Sequence, residues 1–159
     1  MLTLTTQLLL ILISATIFYS YVLTIFFKFG VLPDISSSYY KSGGKPYFTF
    51  FSFGISIPII IVGVELSPLF FFAGALMSFM GVAAAFKDNK LVRRVHNVGA
   101  VGGITLAWLG LFFIGQYVIG IVMFLGIVGL FKYSGENRVW WVEIWAYDMI
   151  ILGLILSVI

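Results

Sequence analysis

A carboxylic acid in the middle of an apolar run is the first feature of this chain that could do chemistry. Residues 139–159 read VWWVEIWAYDMIILGLILSVI. The stretch is long and apolar enough to cross a bilayer, yet it carries Glu143 and Asp148. At about 100° per residue, Trp141, Trp145 and Asp148 share one face of a helix. Glu143 and Tyr147 share another, about 140° away, so the two acids do not point into one narrow cleft from this helix. Glu143 lies about one turn from the basic end of the segment, within reach of headgroups or water. Asp148 lies about 13 Å in and out of that reach. An acid at that depth faces the bundle interior with a partner or is neutral. Its functional reading is a proton-binding or cation-binding group or a catalytic acid; its structural reading is a carboxylic acid hydrogen-bonded to a neighbouring helix.

Two further groups are candidates. His96, the single histidine, opens an apolar segment just after VRR, at a depth similar to that of Glu143. A His96–Glu143 pair would hold the imidazole in one tautomer; otherwise His96 is an interfacial side chain bonded to a headgroup or backbone. The most polar segment, KFGVLPDISSSYYKSGGKPYF, gathers Asp34, Ser36, Ser37, Ser38, Tyr39 and Tyr40 between Pro33 and Gly43. It reads as a cap whose hydroxyls and amides meet a lipid headgroup or small anion, with a serine nucleophile conceivable, or as a solvated connector with interfacial tyrosines. Its SGGK does not satisfy the phosphate-binding loop pattern, and Pro46 follows the lysine. A mixed metal site from Asp34, His96, Glu143 and Asp148 has no support in their spacing, and no metal or cofactor is expected.

Composition sets the frame that must position these groups. Of 159 residues, 62% are hydrophobic and only 9% charged, where a soluble domain has about a quarter charged. Such a chain cannot cover a soluble surface, so it is expected to be one all-α domain, residues 1–159, forming a polytopic transmembrane helical bundle. Cysteine is absent, which excludes disulfides, cysteine zinc sites and a cysteine nucleophile. The net charge of +3 follows from membrane topology, and no nucleic-acid partner is implied.

Six spans are expected, over about residues 4–27, 47–64, 68–86, 96–114, 117–131 and 139–158. The run from His96 to Phe131 would make a helix of about 54 Å, too long for one crossing, so the chain should turn near Gly115-Gln116. Glu65, Ser67 and Pro68 mark another turn. Charge placement supports the count. With six spans, the first loop (Lys28, Lys41, Lys45), the third (Lys87, Lys90, Arg93, Arg94) and the fifth (Lys132, Arg138) lie on one side and hold all nine Lys and Arg. The positive-inside rule makes that side cytoplasmic and puts both termini on the other side of a cell (inner) membrane. MLTLTTQ has no basic region and no small-residue cleavage site follows, so the first span reads as a retained anchor. Gly99 and Gly103 line one face of the fourth span; Gly74 with Ser78 and Gly81 with Ala85 do so on the third, which predicts close packing of these two spans. Trp140 and Trp141 read as an interfacial belt, and Lys87, Lys90, Arg93 and Arg94 as contacts for anionic headgroups.

The element Leu32-Pro33-Asp34-Ile35-Ser36 after the first span resembles the P-x-I-S element of small six-span proteins of the DRAM-like (damage-regulated autophagy modulator) superfamily. With SSYY, FKDNK and VHNVGA, the chain is similar to small uncharacterised bacterial and phage membrane proteins. The resemblance implies a six-helix bundle and draws attention to Pro33, Ser36 and His96; it implies no reaction. Ceramidase-like hydrolases need several histidines around zinc, which this chain lacks. Three function classes follow: a non-catalytic lipid- or partner-binding bundle, which is favoured; a proton- or cation-linked carrier using Asp148; and a lipid-acting hydrolase or transferase using Ser36, His96 and Glu143. A homo-oligomer is compatible with each.

Overall fold

A computed structural model describes residues 1–43, 46–83, 90–133 and 135–159, and of 83, 90–94 and 133 the backbone alone. Among these residues all regular structure is helical: α1 (Leu4–Phe29), α2 (Ser38–Lys41), α3 (Tyr47–Leu66), α4 (Pro68–Ala83), α5 (Lys90–Phe113), α6 (Tyr117–Tyr133) and α7 (Arg138–Val158), with single 3₁₀ turns at Ile35–Ser37 and Gly135–Asn137.

Local chemistry sets the ends. Thr3 caps α1 by accepting the Thr6 N–H, and Gly30 closes it at φ 74°, donating to the Phe26 carbonyl. Ser67 is extended, as a residue before proline must be, and its Oγ accepts the Leu69 N–H at 3.2 Å. Pro68 then sits at the first position of α4, where a missing N–H costs nothing. The turn expected near Gly115 is present. Gly115 takes φ 81°, its N–H bonds Phe112 O at 3.1 Å, and Gln116 N–H bonds Leu111 O at 2.8 Å. This is the paired-bond C-cap that glycine permits.

Helices α3, α4 and α5 pack side by side in sequence order, with α1 on the other side of α3. Helix α7 touches both α1 and α5 and closes a five-helix ring; α6 stands outside it against α7 and α5. Hydroxyls fasten α3 to α4. Thr49 donates to Gly81 O, Ser52 to Met77 O, and the Ser56 and Ser78 hydroxyls meet at 2.6 Å.

Among the described residues four helices are long and apolar enough to cross a membrane: Leu4–Phe29, Tyr47–Leu66, Val95–Phe113 and Gly135–Val158. The remaining two expected spans are represented there by the shorter apolar helices Pro68–Val82 and Tyr117–Lys132, and residues 84–86 of the third expected span lie outside the described residues. At 1.5 Å per residue these two described stretches reach about 22–24 Å. Helix α5 starts at Lys90 rather than His96, because backbone hydrogen bonding continues through the basic run regardless of hydropathy. The small-residue stripes are shared differently from the expectation. Gly99 and Gly103 do face α4, where a Cβ on Gly99 would stand 2.9 Å from Leu76 O. Gly74 and Gly81 face α3 instead, against Ile60 and Ser52. Ala85 lies outside the described residues. Trp140 is not part of a belt: it is 1% exposed and packs in the core, whereas Trp141 is exposed.

Candidate functional site: a capped cavity inside the ring

The ring is not filled to its axis. Helices α1, α3, α4, α5 and α7 line a partly open cavity of about 60 Å³. A single water needs about 10–15 Å³ of such space, so the cavity admits more than one small group. Phe18, Phe48 and Phe51 supply aromatic walls, and Met77 and Met80 supply flexible ones. Its polar lining comes from Ser36, Glu143 and Tyr147.

The first loop forms the lid at this end. Asp34 caps the turn that follows it: its Oδ1 accepts from Ser37 N–H at 2.7 Å, Ser36 Oγ at 2.7 Å and Ser37 Oγ at 2.9 Å. Ser38 Oγ donates to Ile35 O at 2.6 Å, so Tyr21 OH, 2.7 Å away, must donate to Ser38. Leu32, Ile35 and Tyr39 are buried beneath the loop. Two bonds tie the loop to α7: Trp140 N–H to Pro33 O at 3.2 Å, and Ile35 N–H to Glu143 Oε2 at 2.7 Å. Asp34, Ser37, Ser38 and Tyr39 therefore build the cap. Ser36 and Glu143 are the loop and helix residues that reach the cavity.

Glu143 carries the chemistry of the site. Its Oε2 is held by the Ile35 amide, and among the described residues Oε1 has no hydrogen-bond partner. A carboxylate oxygen free in an otherwise apolar cavity is an acceptor waiting for a donor. Deeper in, Ser14 Oγ donates to Ile55 O at 2.8 Å. Its single hydrogen is thereby used, so Tyr147 OH donates to Ser14 Oγ at 2.6 Å. The Tyr147 ring stacks on Phe18 with centroids 3.8 Å apart. These bonds hold the aromatic wall without leaving a free polar group on it.

The other candidates lie elsewhere. Asp148 does not face the interior: it sits at the outer seam of α1 and α7, where Tyr19 OH donates to its Oδ1 at 2.7 Å. The spacing that separates it from Glu143 on α7 turns it out of the cavity. His96 forms no pair with Glu143; its Nδ1 is enclosed and has no hydrogen-bond partner among the described residues. No group of three His, Asp or Glu side chains able to hold a metal ion occurs among the described residues. Lys87 lies outside the described residues, as do the side chains of Lys90, Arg93 and Arg94.

Comparison with known protein families, with curated proteins and with solved structures gives no match. The resemblance to DRAM-like proteins thus stands on its short motifs alone, and the site has to be read from its own geometry.

Ser36 spends its hydrogen on Asp34, and His96 bonds neither Ser36 nor Glu143, so no histidine stands behind a serine as a general base. Sequence reasoning missed the aromatic and methionine walls and the Ser14–Tyr147 bond. The usable signal was Ser14 among Ile11, Phe18 and Val22, a polar residue on the buried stripe of α1. A hydroxyl there needs a partner from another helix.

Proposed function

We propose that this protein is a multi-pass membrane protein whose helical bundle binds a single-chain amphiphile without transforming it. Six spans place loops one, three and five on the cytoplasmic face of the cell membrane and both termini opposite. The even count and the gathering of every Lys and Arg at one end support this arrangement. Helix α6, 17 residues long, is accommodated by local thinning of the bilayer. The basic segment 87–94 meets anionic headgroups, each charge near the leaflet contributing about 1 kcal/mol.

One observation carries the binding reading: an apolar cavity lined by five helices ends on a carboxyl group with a free oxygen. The first carbons of an alkyl chain suit the Phe and Met walls, the rest of the chain leaving by the open side of the cavity, and a hydroxyl or ammonium headgroup donates to Glu143 Oε1. Anionic headgroups are disfavoured at the same oxygen. The carrier and hydrolase readings have no comparable support, because Asp148 lies off the cavity and Ser36 lacks a base.

The test is binding of hexadecanol, hexadecylamine and hexadecyl sulfate to the purified protein in nanodiscs. The alcohol and the amine bind and the sulfate does not. Glu143→Ala weakens the first two about tenfold, the loss of one strong hydrogen bond. Equal binding of all three, unaffected by Glu143→Ala, would exclude this role for the cavity.

A further inference from the structure

The outer seam of α1 and α7 presents polar groups where the surrounding solvent offers none. Asp148 uses Oδ1 for Tyr19, and its Oδ2 has no partner among the described residues. Tyr19 is 43% exposed. On the neighbouring ridge of α1, Thr16 and Thr24 return their hydroxyls to their own helix, at Leu12 O and Ser20 O. Ser20 does not: its hydroxyl is exposed and makes no hydrogen bond among the described residues. An acceptor and a donor thus lie unmet on one outward surface. Hydrocarbon cannot satisfy either, and each would cost free energy there.

The two groups do not meet within the chain. Ser20 is turned about 100° from Tyr19 on α1, away from α7. They are close in depth, since Ser20 follows Tyr19, whose hydroxyl reaches Asp148. Around them the surface is otherwise apolar and open. Leu12, Leu23 and Phe27 project from α1, while Trp141 and Leu152 flank Asp148 on α7. Helix α7 packs between α1 and α6 here, so its outward face forms the floor of a groove beside the α1 ridge.

We infer that this seam is the interface of a two-fold dimer, in which the α1 ridge of each copy lies in the α7 groove of the other. Copies in one membrane share an orientation, so a two-fold axis along the membrane normal brings equal depths together. The Ser20 hydroxyl of one copy then meets the free Asp148 oxygen of the other, and symmetry makes the bond twice. A second copy fits because it carries the needed donor at the needed depth. In the six-span arrangement every Lys and Arg lies in a loop or near a helix end on one side, so no cation of a second copy reaches Asp148 and the match is by hydroxyl. This interface is independent of the cavity and shares with the binding reading only the placement in a bilayer. Extraction of the membranes with alkaline carbonate checks that placement separately.

The absence of cysteine makes the test direct. Thr16→Cys with Leu152→Cys, and Phe27→Cys with Trp141→Cys, the pairs that the antiparallel α1 and α7 bring level across the seam, are introduced and oxidised in native membranes, with Ile61→Cys on the outer face of α3 as the control. Both seam variants form covalent dimers of twice the chain mass, and the control does not. Adding Asp148→Leu lowers the dimer yield of the Thr16→Cys, Leu152→Cys pair at least about threefold, whereas Asp148→Asn, which keeps a carbonyl acceptor, preserves it. Wild-type chains labelled at the N-terminus show energy transfer above random collision in dilute proteoliposomes. Three results overturn the inference: monomeric seam variants with no excess energy transfer, equal cross-linking of the α3 control, or cross-links to a chain of different mass. The last assigns the seam to another membrane protein.

Discussion

Glu143 accepts the Ile35 N–H at 2.7 Å, and through this bond the first loop is fastened to α7 at the mouth of the cavity. The same carboxyl group is both a latch for the lid and the free acceptor of the site. A donor at Oε1 would leave the latch on Oε2 intact. In Glu143→Ala the Ile35 amide loses its acceptor, and its hydrogen exchange accelerates at least about tenfold. Glu143→Gln keeps a carbonyl oxygen for Ile35 and preserves the protection. Mass-spectrometric exchange over residues 32–41 separates the two variants.

Ser14 joins three helices, α1 through its backbone, α3 through Ile55 O and α7 through Tyr147 OH. Ser14→Ala leaves a buried phenol and a carbonyl short of partners and destabilises the fold by about 1–3 kcal/mol. Tyr147→Phe removes one donor and leaves Ser14 bonded to Ile55, so its cost is the smaller, about 0.5–1.5 kcal/mol. Thermal unfolding in detergent ranks the two.

The approach of α4 to α5 depends on the missing side chains of α5. Gly99→Ala puts a methyl group 2.9 Å from Leu76 O and forces the helices apart, with an expected loss of about 1–3 kcal/mol. At Gly129 on α6 a Cβ meets nothing within 4 Å. Gly129→Ala is therefore expected to stabilise by about 0.5–1 kcal/mol, the usual gain in a helix interior. Opposite shifts in Tm from the same chemical change are the outcome to look for.

Sidedness is tested with single cysteines and a membrane-impermeant thiol reagent. Ser42→Cys, in the first loop, reacts only after the membrane is opened. Gln116→Cys, in the turn after α5, reacts in intact cells. The reverse pattern would turn the bundle over and contradict the positive-inside argument.

Apolar length located helices of the described residues, four of them long enough to cross a membrane, and helix periodicity separated Glu143 from Asp148, because both depend only on local geometry. The turn at Gly115 was legible for the same reason. What the chain did not reveal was which neighbour each face meets. Gly74 and Gly81 have the spacing that suits any close helix pair, and nothing local distinguishes α3 from α5 as the partner. For Asp148 the sequence leaves two readings, an interior functional acid or a carboxylic acid hydrogen-bonded to a neighbouring helix, and does not name the helix. The structure gives it Tyr19 at an outer seam, a partner contributed by a helix more than a hundred residues away in sequence. Trp140 illustrates the same limit. A tryptophan at a helix start reads as an interfacial anchor until a folded loop covers it, and the cap over Trp140 is a tertiary feature.

The proposed role of the cavity is to hold an amphiphile against Glu143. Native mass spectrometry of the protein released from nanodiscs with hexadecanol tests it most directly, comparing wild type with Ala100→Phe, which fills the cavity from α5. The predicted result is one bound hexadecanol per chain in the wild type and none in Ala100→Phe, with the two proteins unfolding at similar temperatures. Equal occupancy in both would contradict the claim and place any bound amphiphile on the outer surface instead.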